Sequence, residues 1–291
     1  MSEGPAGVAV VLVATDERAL LLEAVESLFA SAPSRLAEVV VVDNASTDGV
    51  GEEVARRWEA VRVLRRRSRL PLPANLNTGI GATAAPYVMV CNSDIVFLPG
   101  ALDRLAAFLD DHPRAAIAGP KLLSPRGEVW RSARRFYDLR SLVALRGAWT
   151  GNPTASAWAR RSMYADWDLA APRAVDWVPC PATMLRRAAL VEVGGFDGRF
   201  RAYFEDVDLA LRMREARWQV FCVPDAEVVH LWRLASRAPL SAAWFLHLES
   251  LVCFAAKHGG LGRRPGPSDR SDGRHRPAGA RTRPPRVLGP P

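Results

Sequence analysis

Two hydrophobic rhythms alternate along this chain. Val8–Ala14 (VAVVLVA) is an unbroken apolar, mostly β-branched run, as expected of a strand buried on both faces. Behind it, Leu21, Leu22, Val25, Leu28 and Phe29 recur at helical spacing within Arg18–Ala30. Val39–Val42 is a second buried strand, ended by the turn-forming Asp43-Asn44-Ala45-Ser46-Thr47-Asp48-Gly49. A helix through Val54–Trp58, a short strand Val61–Leu64, a small-residue helix over Asn77–Ala84 and a strand Tyr87–Cys91 continue the alternation. Pro99 opens a helix to Leu109, since proline suits a first turn. Strands alternating with helices predict an α/β fold, with a mostly parallel, doubly wound sheet flanked by helices.

After Ala116 the rhythm loosens. Arg131–Asp176 is rich in Arg and Trp, with one helix at Asp138–Trp149, and reads as a loop over a site or an inserted substrate-binding region. Order returns over Val175–Leu185, followed by a helix Glu205–Arg214, a strand Val220–Val223 and a strongly apolar helix Trp244–Ala256. Beyond Gly260 the chain holds seven Pro and five Gly and cannot build a core. Residues 1–260 are therefore expected to form one domain, and 261–291 a disordered basic tail.

Charge follows the same division. The 291-residue chain carries a net +8, which by itself suggests a nucleic-acid binder. Eight Arg against two Asp lie beyond residue 260, so the first 260 residues carry only +2. No nucleic-acid partner is expected from a nearly neutral body with a basic tail. Cys91, Cys180, Cys222 and Cys253 form no C-x-x-C pair, sit beside apolar residues and read as reduced, mostly buried thiols. The first residues lack the basic segment of a signal peptide, and no apolar run approaches the roughly 20 residues of a membrane-spanning helix. The expectation is a cytoplasmic protein.

In parallel α/β sheets, ligands bind at the carboxyl ends of the strands. Polar clusters stand at three of them: Thr15-Asp16, Asp43-Asn44 and Asn92-Ser93-Asp94. Carboxylates there can accept hydrogen bonds from a nucleoside or hold a divalent cation through oxygen; they can equally cap helices or start turns. Neither G-x-G-x-x-G nor a Walker motif follows the first strand, which argues against dinucleotide oxidoreductases and P-loop kinases. Further on, Glu205-Asp206 stands where a helix begins and the macrodipole favours an ionised carboxylate, a candidate general base or simply the helix's own N-terminal charge. His230 ends an apolar strand; it is a structural histidine unless it converges on Asp94.

Taken in order, five stretches resemble the family-2 glycosyltransferases: VVVVDNASTDG (Val39–Gly49), VMVCNSDIVFLPG (Val88–Gly100), VDWVPCPATMLRR (Val175–Arg187), VGGFDGRF (Val193–Phe200) and the Tyr203–His230 block that begins YFEDVDL. The VDW segment and the YFEDVDL block look most like bacterial rhamnosyltransferases that act on polyprenyl-diphosphate-linked sugars. That resemblance implies a GT-A-type nucleotide-diphospho-sugar-binding domain and an inverting transfer. It places Asp43 at the nucleoside, with Thr15 and Asp16 beside it, and Asn77 and Asn92 on the donor side. Asp94 matches the last acid of the family's metal motif and His230 the strand-end histidine that can complete it, for a divalent cation (Mg²⁺ or Mn²⁺). Asp206 matches the general base, with Glu205 and Trp177 near the acceptor. Two departures stand out. Arg65–Pro73 (RRRSRLPLP) replaces the family's Glu-Asn-x-Gly-Phe stretch, and Asn92 occupies the first position of the metal motif.

The implied partners are a nucleotide-diphospho-sugar donor and a glycan, lipid-linked or small-molecule aglycone acceptor, in cell-envelope polysaccharide or glycoconjugate synthesis. Trp244–Ala256 reads first as a helix closing the core. Followed by Lys257-His258 and the Arg-rich tail, it also offers peripheral contact with an anionic membrane, at the inner face of the cell membrane. A sugar-nucleotide nucleotidyltransferase is the alternative enzyme, but it would need a Gly/Arg/Lys-rich triphosphate loop where Ala14–Leu20 offers only Arg18. A non-catalytic nucleotide- or polyanion-binding module working through the tail is the non-enzymatic alternative.

Overall fold

The computed structural model describes residues 7–138, 156–231 and 241–261. Its first half alternates β1 (Val8–Ala14), α1 (Arg18–Ala30), β2 (Leu36–Asp43), α2 (Val50–Arg57), β3 (Val61–Arg65), α3 (Leu72–Gly81) and β4 (Tyr87–Asn92). A short β5 (Ile95–Phe97), α4 (Ala101–Asp111), β6 (Ala115–Leu123) and β7 (Val129–Trp130) follow. Then come α5 (Ala157–Ser162), β8 (Arg173–Val175), β9 (Ala182–Arg186), α6 (Arg187–Val193), α7 (Glu205–Glu215), β10 (Gln219–His230) and α8 (Ala242–His258).

One sheet takes up the strands in the order β3-β2-β1-β4-β9-β6-β10-β5, with β7 on β6 and β8 on β10. The pairings β3–β2–β1–β4 are parallel, as is β6–β10, while β9 runs antiparallel to both β4 and β6. Six strands thus share one direction, with β9 reversed among them. All seven residues of β1 are buried, which is why no polar residue interrupts VAVVLVA. Val8, Val10, Leu12 and Ala14 pack with Leu21, Val25 and Leu28 of α1 on one face of the sheet; Val11 and Val13 turn to the other. There α3 crosses so closely that a Cβ at Gly79 would lie 2.3 Å from Val11 Cγ1. Phe196, Phe200, Phe204, Val207 and Phe254 extend this second layer, so α7 and α8 belong to the core.

The structure moves several boundaries. α3 begins at Leu72, with Pro73 in its first turn, and not at Asn77. Pro99 stands outside α4, whose start is set by Gly100 in the left-handed region at φ +77°. β10 runs on through Pro224 to His230, because a register shift between Val223 and Glu227 accommodates the interruption. The expected helix over Asp138–Trp149 lies outside the described residues except for Asp138, as does the tail from residue 262. Among the described residues no helix is long and apolar enough to cross a membrane. All four cysteines are free, with Cys91 and Cys222 buried.

Candidate active site

Because β1, β2, β4 and β10 share a direction, their carboxyl ends meet on one rim. Asn44 ties that rim together: its Nδ2 donates to Thr15 Oγ1 (3.1 Å) and to the Leu70 carbonyl (3.2 Å), and its Oδ1 accepts from Leu70 N–H (2.8 Å). Asp16, held at φ +55°, accepts from the Thr47 amide at 2.7 Å and pairs with Arg69. The Thr47 amide is the foremost cause of a carboxyl held below its ordinary range. Thr15 and Asp16 therefore fix the loops at this rim as well as standing on it. Asp43 is buried and steadied by the Ser46 N–H (2.9 Å), and Gly51 lets α2 approach it, since a Cβ there would lie 2.6 Å from Asp43 Oδ2.

Asp94 and His230 do converge. Nε2 of His230 lies 3.1 Å from Asp94 Oδ2, and the Leu231 N–H donates to the Asp94 carbonyl at 2.9 Å. The antiparallel pairing of β10 with β5 brings this about by setting His230 opposite Ile95, next to Asp94. Asp94 Oδ1 is buried with no hydrogen-bond partner, an acceptor that folding alone leaves unsatisfied. The hard carboxylate oxygen of Asp94 suits Mg²⁺ or Mn²⁺. No group of three potential metal-binding side chains occurs among the described residues, so a cation here would take further ligands from a bound diphosphate. Ser93, between Asn92 and Asp94, is buried and hydrogen-bonded to Glu17.

Glu205 and Asp206 open α7. Two consecutive non-glycine residues in the left-handed region, Tyr203 (φ +65°) and Phe204 (φ +62°), turn the chain sharply into the helix. Backbone strain of this kind persists only where the surroundings hold it. Glu205 is 6% exposed, and its Oε2 has no hydrogen-bond partner. Burial, followed by the neighbouring Asp206 charge, pushes the Glu205 carboxyl up to about 8. Burial also pushes Asp206 up to about 6, against the pull of the Val207, Asp206 and Cys180 amides and of the Arg134 charge. Burial and mutual repulsion thus disfavour two negative charges on the pair, which titrates as a unit. The Cys180 amide that serves Asp206 lies one residue from Pro181, whose carbonyl accepts from Asn92 N–H at 2.8 Å. The carboxylate pair and the Asp94–His230 pair therefore share one rim, joined through the entry to β9.

Sequence reasoning missed three neighbours of Asp206: Arg134, Tyr137 and Cys180. Arg134 pairs with Trp177 as an isolated bridge (Arg134 N–H to Trp177 carbonyl, 3.0 Å) and lays its guanidinium 5.6 Å from the Trp130 ring, itself 5.9 Å from His230. Trp177 is buried, donates its indole N–H to the Arg135 carbonyl (3.0 Å) and packs on Tyr137, which packs on Phe204. Its contacts thus support the turn before Glu205. The only available signal was the cluster of Arg and aromatic residues after Arg131. Asn77 has a different employment from the one expected. Its amide makes a reciprocal pair with the Phe196 backbone (Nδ2 to carbonyl 2.8 Å, N–H to Oδ1 2.9 Å), holding the Gly194-Gly195 turn against α3.

Comparison with known proteins agrees with this geometry. Residues 9–194 match the family model described as glycosyl transferase family 2. The chain is 32% identical over 249 residues to the N-acetylglucosaminyl-diphospho-decaprenol L-rhamnosyltransferase of Mycobacterium tuberculosis, covering 80% of each. It is 29% identical over 195 residues to the pre-mycofactocin glycosyltransferase of the same species, covering 66% of this chain and 37% of that one. Among solved structures, it superimposes on the mannosyltransferase of Pyrobaculum calidifontis in complex with GDP-Man and Mn²⁺ (TM-score 0.60, 19% identity, 90% of this chain and 66% of that one). GalNAc-T7 with UDP, GalNAc and Mn²⁺ matches at TM-score 0.62 and 18% identity, over 78% of this chain and 43% of that one. At such identities these two structures speak for the fold, which is of the GT-A kind.

Proposed function

This chain belongs to glycosyltransferase family 2, and we propose that it is an inverting transferase that moves a hexosyl group, rhamnose foremost, from a nucleotide-diphosphate donor to a polyprenyl-diphosphate-linked sugar. The mycobacterial relative aligned over 80% of the chain, named for rhamnosyl transfer to a decaprenol-diphosphate-linked sugar, supports this sugar and acceptor. The observation that carries the mechanism is the Glu205–Asp206 pair at the strained head of α7, with Glu205 buried and its Oε2 without a hydrogen-bond partner. An acceptor hydroxyl is a poor nucleophile, so its proton passes to Asp206 as its oxygen bonds to the anomeric carbon. The bond from that carbon to the diphosphate breaks in the same displacement, and the electron pair leaves with the nucleotide. Attack from the side opposite the leaving group inverts the anomeric centre.

Asp94 and His230 are the residues that would hold a divalent cation, and its contribution would be to neutralise charge developing on the departing diphosphate. Asp43, Thr15 and Asn92 line the nucleotide side of the same rim. Arg134 adds a fixed positive charge near Asp206. Peripheral binding to anionic lipid fits the outer face of α8, where Phe245 and Val252 are exposed, and the eight Arg that follow it in sequence.

The test is nucleoside-diphosphate release by purified protein, offered a panel of nucleotide sugars with a polyprenyl-diphosphate-linked N-acetylglucosamine and Mg²⁺ or Mn²⁺. Release from one donor, abolished by Asp206→Asn, is the expected result. An absence both of turnover and of cation-dependent thermal stabilisation by every donor would overturn the reading.

A further inference from the structure

The family match stops at residue 194, before the helix that carries the base. That helix packs on β10 and α6, and α8 adds contacts of an unusual kind. Asp208 is completely buried (0% exposed) yet receives three donors: Arg212 Nε at 2.8 Å, Lys257 Nζ at 2.6 Å and His258 Nε2 at 2.8 Å. Lys257 also reaches Asp197 Oδ2 at 2.5 Å, and Asp197 pairs with Arg199 at 2.7 Å. Arg212 continues to the carbonyls of Val193 (2.7 Å) and Gly195 (2.8 Å). Four parts of the chain are thereby joined: the end of α6, the Gly194–Phe200 turn, α7 and α8.

The position of Asp208 gives this cluster its significance. At about 100° per residue, Asp206 and Asp208 lie on opposite sides of the first turn of α7. One faces the rim and the other faces α8. The Asp208 N–H closes that turn on the Phe204 carbonyl at 2.8 Å, so a force on Asp208 is felt directly at the left-handed Tyr203-Phe204 step. The rest of α8 grips the same step: Ser250 Oγ donates to the Ala202 carbonyl (2.7 Å), Phe254 packs on Phe204 (5.5 Å between rings) and His247 packs on Phe204 and Tyr203 (5.1 and 5.3 Å). Carboxylates are not buried at 0% exposure without paired donors, because the uncompensated charge costs too much. Arg212, Lys257 and His258 together supply that compensation, two of the three from α8.

We propose that Lys257 and His258, through Asp208, are positioning residues for the transfer reaction: they lock the back of the first turn of α7 and so set Asp206 at the rim. This rests on the assignment of Asp206 as the base. Removing the lock should lower the rate of proton removal while leaving the donor site untouched, since Asp43, Asp94 and His230 belong to other elements.

Four proteins decide it: wild type, Lys257→Met, Lys257→Arg and Leu28→Ala. Leu28 is buried on the opposite face of the sheet, so the last variant destabilises the fold without touching the lock. For Lys257→Met the expected result is a kcat at least tenfold lower with donor KM within twofold, and with amide exchange accelerated across residues 203–215. Lys257→Arg should recover most of the rate. Leu28→Ala, assayed well below its melting temperature, should keep its kcat. If Lys257→Met does not fold, His258→Ala, which leaves both Lys257 ion pairs in place, carries the same expectation. Wild-type kcat and wild-type exchange in the lock variants would overturn the proposal, and so would an equal loss of kcat in Leu28→Ala. A wild type inactive with every donor would overturn the transferase reading instead; the exchange data would still decide whether the lock exists.

Discussion

His230 reaches Asp94 at 3.1 Å from the far end of the longest strand, and it leaves Asp94 Oδ1 as a buried acceptor with no partner. An acceptor arranged in that way anticipates a cation. Asp94→Asn keeps the shape and removes the charge. It should cost on the order of 10–100-fold in cation affinity or more. Thermal-shift titration with Mn²⁺ and a nucleoside diphosphate reads this directly, and the stabilisation by the pair should disappear in the variant.

Asp206→Asn should lower turnover by about 10²–10⁴-fold, the usual worth of a positioned general base. Donor binding, followed by the same thermal shift, should be retained. Equal losses of binding and turnover would place Asp206 at the donor and not at the acceptor.

The pH dependence has a definite sign. A base pushed up to about 6 must be deprotonated to act, so kcat should rise with pH through that region. Stability should move the other way. Carboxyls whose folded values lie above their unfolded ones favour folding at low pH, and that contribution is lost as pH rises through about 6 and then about 8. The wild-type melting temperature should fall between pH 5 and pH 8, a window spanning both values, and Glu205→Gln should flatten that fall.

Gly195 sits at φ +71°, and a Cβ there would come within 2.8 Å of Asn77 Oδ1. Gly195→Ala should therefore destabilise by about 1–3 kcal/mol, from backbone strain and from the broken Asn77–Phe196 pair. Urea denaturation measures it. Asn77→Ala should lose a similar amount by leaving the Phe196 amide unsatisfied.

Much of this was legible before any coordinates. Val8–Ala14 announced a doubly buried strand, and acids at three strand ends marked the rim. Glu205-Asp206 stood out at a helix start. Other features had no local signature. α3 begins in RRRSRLPLP, where two prolines and a charge run resemble a loop, because its stability comes from packing Leu76 and Gly79 on the sheet. Arg134 and Tyr137 come from a segment with no periodicity and reach Asp206 only through the bridge to Trp177. Nothing local marks Asp208 as a buried acid, since its partners Lys257 and His258 lie in a distant helix.

The reversal of β9 has a consequence for how such a chain can change. Because β9 runs against β4 and β6, the segment entering it, Val178–Pro181, is the one that meets the rim. The nucleotide-side half, β1 to β4, adjoins this segment at the rim through the Asn92–Pro181 hydrogen bond. Length between β7 and β8 can therefore vary without disturbing the register of the parallel strands, provided that the Arg134–Trp177 bridge and the pairing of β8 on β10 are kept. One scaffold can in this way keep its leaving-group chemistry while it trades one recipient of the sugar for another.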